Sequence, residues 1–195
     1  MTIRKGEPWG EAVERPSDLL VVASDRAVAE ACIAEPDRPV GLAGGDLHRA
    51  VGSPPSRSTA QRLPIDALDV TVEGDVHVAV AHVVARCGWW RGRILAVMNV
   101  DHLDAWNVAP RAHPNDGRFD VVDVDAEMTW RERWQARGRL GAGTHVPHPK
   151  ISVRTATAMS WSFDRPLDVR VDGVDVGAAT TMSVTVRPDA FAIVV

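Results

Sequence analysis

Lysine, cysteine and long apolar runs are all scarce in this chain, and each shortage excludes a class of protein. Only Lys5 and Lys150 are lysines among 22 basic residues, against 26 acidic ones, so the formal charge is −4. No basic surface dominates, which argues against nucleic acid as a partner. The bias toward arginine reports genome composition rather than chemistry. Cysteine occurs only as Cys32 and Cys87. Two well-separated thiols make neither a disulfide framework nor a Cys-x-x-Cys metal site, and both are expected as small core residues in a reducing compartment. No segment approaches the ~20 apolar residues of a membrane span, and no apolar run follows the basic residues near Met1. The expectation is a cytoplasmic chain that is not an integral membrane protein.

What is present is ample material for a core: 45% of the 195 residues are hydrophobic and 25% charged, which suits one large domain or two small ones. Residues 1–17 read as an irregular arm anchored by Trp9, with Arg4 and Lys5 as candidate anion contacts against the simpler reading of a solvated tail. The apolar run Leu19 to Ala23 reads as a strand, and Ser24-Asp25 caps a helix through Glu35. Pro36 and Pro39 end it, Val40-Gly41-Leu42 is a second strand, and Gly44-Gly45-Asp46 opens a short helix through Val51. Residues 52–64, rich in Ser, Pro and Arg, have the composition of a linker.

Beyond the linker the period changes to two. Val76, Val78 and Val80 alternate with His77, Ala79 and Ala81, and further strands are expected at 93–100, 119–124, 151–156, 167–171, 181–187 and 191–195. The one strong helix signal is the capping-box pattern Thr129-Trp130-Arg131-Glu132, which starts a helix to about Arg139 with Trp130 and Trp134 on one face. The fold class is therefore α+β and mostly β, a sandwich or barrel-like sheet.

Several segments, in order, carry a resemblance. They are Asn107-Val108-Ala109-Pro110 leading to Asn115-Asp116-Gly117-Arg118-Phe119-Asp120-Val121; Gly143-Thr144-His145; Pro166-Leu167-Asp168-Val169-Arg170-Val171-Asp172-Gly173; and Val186-Arg187-Pro188-Asp189-Ala190-Phe191. Together they resemble the lipid-binding half of the bacterial lipid kinase and diacylglycerol kinase family over about residues 65–195. Upstream, Arg38 to Gly52 is similar to the segment that follows the family's nucleotide loop, while Val21-Val22-Ala23-Ser24-Asp25-Arg26 stands in the place of that loop without its glycines or threonine. The resemblance implies a diacylglycerol kinase-like β-sandwich at 63–195 and a reduced β-α-β remnant of the nucleotide lobe at 1–62.

It also implies roles for residues. Asp172 stands where the family has its general base, which would take the proton of the lipid hydroxyl. Asp116 stands at a magnesium position supported by the main-chain oxygens of His113 and Arg118, and Gly44, Gly45 and Asp46 lie where the nucleotide would bind. Each has a plainer reading beside it. Asn115-Asp116-Gly117 forms a tight turn, and Asp172-Gly173 forms a hairpin turn, the family's following glutamate being Val174 here. A glycine-rich loop works because bare backbone closes on phosphate, and Ser24 and Arg26 add bulk there. His102, His113, His145 and His148 make only a weak case for zinc. Trp89, Trp90 and Trp106 are candidates to line an apolar pocket, or are plain core.

The functional expectation is a pseudoenzyme that binds a small lipid-like or phosphorylated ligand or a partner protein. Two alternatives stay open. One is a lipid kinase using ATP and Mg²⁺ through a rebuilt nucleotide site; the other is a scaffolding subunit of a homo-oligomer.

Overall fold

The computed structural model describes residues 9–53 and 59–195. Arg4 and Lys5 lie outside the described residues, as does the middle of the linker-like stretch. Trp9 donates its indole N–H to the Pro64 carbonyl at 3.1 Å and meets the His113 ring edge-on at 4.6 Å.

In chain order the elements are β1 (Glu11–Glu14), β2 (Leu20–Val22), α1 (Asp25–Ala34), β3 (Val40–Leu42), α2 (Asp46–Val51) and β4 (Thr59–Val72). They continue with β5 (Asp75–Ala79), β6 (His82–Arg86), β7 (Ile94–Met98), β8 (His102–Leu103), β9 (Trp106–Asn107) and β10 (Phe119–Val124). α3 (Trp130–Leu140), β11 (Ile151–Ala156), β12 (Ala158–Val171) and β13 (Val174–Val194) complete the set. The structure is mostly β, as expected. One large sheet runs β1-β4-β13-β12-β6-β7-β10-β11, with β5 on β4. These pairings are antiparallel, and only β3 on β13 and β2 on β3 are parallel.

Local chemistry explains the ends of the elements. Ser24 caps α1 by accepting the Ala27 amide, and Thr129 with Glu132 closes a full capping box on α3. Two-residue loops join β4 to β5 at Glu73-Gly74 and β12 to β13 at Asp172-Gly173, all four residues at positive φ. Asp and Gly tolerate that region best, and such primed turns match the twist of the strands they join.

Two strands differ from expectation. The stretches at 181–187 and 191–195 are one strand, β13, interrupted by a register shift between Arg187 and Phe191 where Asp189 takes φ 50°. Proline at 188 is tolerated because a bulge releases it from the ladder. β4 begins at Thr59, inside the stretch with linker composition, and Pro64 pairs with Ala192.

Alternation along β12 and β13 buries Trp161, Phe163, Leu167, Val169 and Val184 against Leu68, Val70, Leu95 and Phe119, the main core. A second cluster packs α1 and α2 on the sheet through Val28, Leu42, Leu47 and Ile65. A third gathers Met98, Val108, Val122 and Met128 beneath α3. Apolar area of this kind stabilises at roughly 25 cal/mol per Å².

A fully buried carboxylate fixes the β13 bulge. Asp66 accepts from the amides of Gly117 (2.7 Å) and Asp189 (2.9 Å) and from the Asn115 side chain. A buried charge persists only when so satisfied, and burial raises the Asp66 pKa despite these bonds.

Candidate functional site

Two cavities adjoin on one side of the sheet and share Trp89 and Leu103 in their walls. The first, about 290 Å³, is polar, and its walls include Asp25, Gly45, Asp46, His82, Asp104 and Asp172. The second, about 210 Å³, is apolar, with Trp90, Trp106, Val108, Met128, Leu140 and His145 among its lining residues. An engineered apolar cavity of about 150 Å³ takes up benzene, so the second is large enough for a ring or a short acyl segment.

The polar cavity is built from turns. Asp172 sits at the first position of the β12–β13 turn with φ 47°, and its carboxylate accepts the backbone amides of Val80 (2.9 Å), Ala81 (3.0 Å) and His82 (3.0 Å). Its own amide donates to the His82 carbonyl. The β5–β6 corner is thus tied to a hairpin more than ninety positions away in the sequence. Burial pushes the Asp172 pKa up, against the lowering effect of the His82 charge and the three amides.

Asp25 plays a parallel part at α2. Its carboxylate accepts the amides of Asp46 (2.8 Å) and Leu47 (2.9 Å), the first free donors of that helix. Gly45 holds φ 95°, and a Cβ there would stand 2.3 Å from the Asp25 carboxylate and 2.9 Å from its backbone nitrogen. A Cβ on Gly44 would stand 2.6 Å from the Ala23 carbonyl. The glycines at 44 and 45 therefore admit Ala23 and the first residue of α1, Asp25, whose carboxyl oxygens accept the α2 amides.

Asp46 bridges to a third segment: it accepts the Asp104 amide at 2.9 and 3.0 Å and pairs with His82 Nε2 at 3.0 Å. Burial opposes charge on His82, but the Asp46 hydrogen bond and the nearby Asp172 and Asp46 carboxylates outweigh it and raise its pKa. Burial likewise acts to raise the Asp46 pKa, and the His82 bond with the Asp104 amide outweighs it and lowers it. The result is a buried histidine–aspartate pair with the Asp25 and Asp172 carboxyl groups beside it. Asp25, Asp46 and His82 bring one ligand atom each within 4.8 Å of one another. They are the one group among the described residues with the spacing to hold a metal, and the four histidines named from the sequence do not form another.

Asp172, Gly45 and Asp46 thus share one cavity, whereas Asp116, His113 and Arg118 are not among its lining residues. Asp116 sits in the turn before β10: its Oδ1 accepts the Arg118 amide at 3.0 Å, and its own amide donates to the His113 carbonyl at 3.3 Å. Carboxylate and carbonyl oxygens are the donors a hard cation takes, and here two of them already close the turn. Burial raises the Asp116 pKa.

The apolar cavity is walled by Trp89, Trp90 and Trp106, the candidates named from the sequence, and depends also on Arg133, which sequence reasoning did not single out. Arg133 is buried and donates to the carbonyls of Met128, Trp89, Gly92 and Asp125, which pins α3 to the 89–92 loop. Trp89 and Trp106 meet edge to face at 5.2 Å, and Trp90 stacks on Trp134 at 6.0 Å. His145, 2% exposed, has only a weak contact with the Val108 backbone for its ring. Burial holds its pKa below the ordinary imidazole value, against a smaller raising influence of the Val108 backbone. The part of Arg133 is non-local, since its carbonyl partners at Trp89 and Gly92 lie more than forty positions away.

The large antiparallel sheet and its hairpins are those of a β-sandwich-type domain, and comparison with known proteins agrees. The family model for the YegS C-terminal NAD kinase beta sandwich-like domain matches residues 62–195. The chain belongs to that family.

Among solved structures, a candidate diacylglycerol kinase from Bacillus anthracis str. Sterne superposes with a TM-score of 0.66 at 12% identity, covering 90% of this chain and 77% of that one. A structure of a diacylglycerol kinase from the same organism gives 0.59 at 14% identity, covering 90% and 75%. At such identities the likeness is one of fold. No curated protein matches the chain significantly.

Proposed function

We propose that this chain is a non-catalytic member of its family that binds a lipid-like amphiphile, its apolar part in the tryptophan-walled cavity and its polar end toward the Asp46–His82 cavity. The observation that carries the reading is the junction of the two cavities at Trp89 and Leu103. Ligand sites are concave and largely apolar with a few convergent polar groups, and this pair has that composition. His145 would give a ligand hydroxyl or carbonyl its one hydrogen bond in the apolar part.

Two features support the absence of phosphoryl transfer. The Asp172 carboxylate is committed to three amides, two on Oδ1 and one on Oδ2, which leaves about one acceptor site for the proton a general base must take. The α2 amides that would face a phosphate are held by Asp25.

The test is a titration with a soluble medium-chain monoacylglycerol, followed by tryptophan emission, beside calorimetry with ATP and Mg²⁺. Saturable binding that Ala136→Trp abolishes by filling the cavity, with no heat from ATP, is the expected result. Micromolar ATP binding lost in Asp172→Asn would instead establish the kinase.

A further inference from the structure

The chain has seven tryptophans and no tyrosine, and five of those tryptophans gather around α3 and the 89–92 loop. Tryptophan is among the more buried residue types on average, yet Trp130 and Trp134 are each 62% exposed and Trp90 is 44% exposed. They are not scattered: Trp90 stacks on Trp134, Arg137 lies over the rings of both Trp90 and Trp106, and Arg131 lies over Trp130.

Charge follows the same surface. The helix holds four arginines and one glutamate in a chain whose formal charge is −4. Arg133 is spent on backbone carbonyls, and Glu132 is bonded to Thr129 and Lys150, which leaves Arg131, Arg137 and Arg139 exposed beside the tryptophans, with Arg91 on the neighbouring loop. Trp90, Arg137 and Leu140 also line the apolar cavity, so the patch and the cavity are continuous.

We infer that α3 and the 89–92 loop dock on an anionic lipid bilayer, with Trp90, Trp130 and Trp134 entering the interface and the exposed arginines meeting lipid phosphates. Indole rings, apolar in body and polar at one edge, collect at the headgroup level, and arginines on a short surface helix add electrostatic attraction to anionic lipid. No helix among the described residues is long and apolar enough to cross a membrane, so the contact is peripheral. Docking in this way turns the apolar cavity toward acyl chains; the inference deepens the ligand reading above and rests on it for its purpose.

The experiment is co-sedimentation of the full chain with phosphatidylcholine vesicles, with and without phosphatidylglycerol, read together with tryptophan emission. Binding is expected on the anionic vesicles with a blue shift. Trp130→Ser with Trp134→Ser, which leaves the cavity lining intact, is expected to weaken it at least tenfold, and Arg131→Gln and Arg139→Gln about fivefold each. Salt weakens it as the screening length falls from about 10 Å at 0.1 M to about 3 Å at 1 M.

Failure to sediment, or equal sedimentation of the parent and a serine variant with native circular dichroism, overturns the inference. So does a dimer that the serine variant breaks while vesicles are ignored, which assigns the patch to a second copy. Binding of soluble monoacylglycerol without vesicle binding overturns the docking surface and keeps the cavity reading. Vesicle binding without monoacylglycerol binding does the reverse.

Discussion

Replacing Asp172 by alanine removes one carboxylate and strands three buried amides, those of Val80, Ala81 and His82. A hydrogen bond to a charged group contributes about 1.5–3 kcal/mol, and a buried donor left alone costs about 1–3 kcal/mol. Relief from burying a charge offsets part of the loss, and alanine at φ 47° keeps the Cβ crowding that aspartate already bears without aspartate's tolerance of that region. The net expectation for Asp172→Ala is about 3–5 kcal/mol of lost stability. Asp172→Gly removes the same acceptor without that crowding and is expected about 1 kcal/mol milder. Asp172→Asn keeps an oxygen for Ala81 and His82 but turns an N–H toward the Val80 amide, for about 1–3 kcal/mol. Denaturant unfolding at neutral pH measures all three, with the slope checked for constancy so that midpoints convert to stability. If Asp172 served chemistry alone, every variant would unfold with the parent. An alanine variant within about 0.5 kcal/mol of the parent would refute the reasoning.

Two further outcomes are expected. The Glu132 pKa is held down at about 2 by the Thr129 amide and hydroxyl and by Lys150, against an ordinary 4.5. Its support for α3 is therefore complete above pH 4.5 and lost as pH falls through about 2; emission from the Trp90–Trp134 stack should follow that transition, whereas Glu132→Gln shows the acid form at neutral pH, and superimposable titrations would refute it. Burial pushes the Cys32 thiol up to about 11, whereas Cys87 is exposed. Mass spectrometry after iodoacetamide treatment should find one adduct on the native chain, at Cys87, and two in denaturant.

How much of this was legible in the sequence depended on how local each cause is. The caps at Ser24 and Thr129 act within three residues, and β10 and β11 begin and end where their β-branched runs do. β4 was hidden because Pro64 and its neighbours resemble a linker, and what makes them a strand is the pairing partner at 191–194.

At the candidate site, the turn at Asp172-Gly173 and the glycines at 44 and 45 could be read in advance. The partners of their carboxylates and Cβ-free faces could not, since Asp172 meets residues 80–82 and Asp25 meets 46–47 only after the sheet closes. Trp130 and Trp134 were legible as one face of a helix, but the arrival of Trp90 against it was not.

β13 has a bearing on how the molecule comes into being. It follows every other described strand in the sequence, yet it pairs with β12, β4 and β3, and its bulge supplies the Asp189 amide that Asp66 receives. During synthesis every other strand is made before it. Until it leaves the ribosome, β4 lacks its longest neighbour, β3 has only the three-residue β2 beside it, and the Asp66 carboxylate is short of a donor. The two halves of the sheet are therefore joined by a single late event, and a nascent chain waiting for it exposes the long edges that aggregation uses.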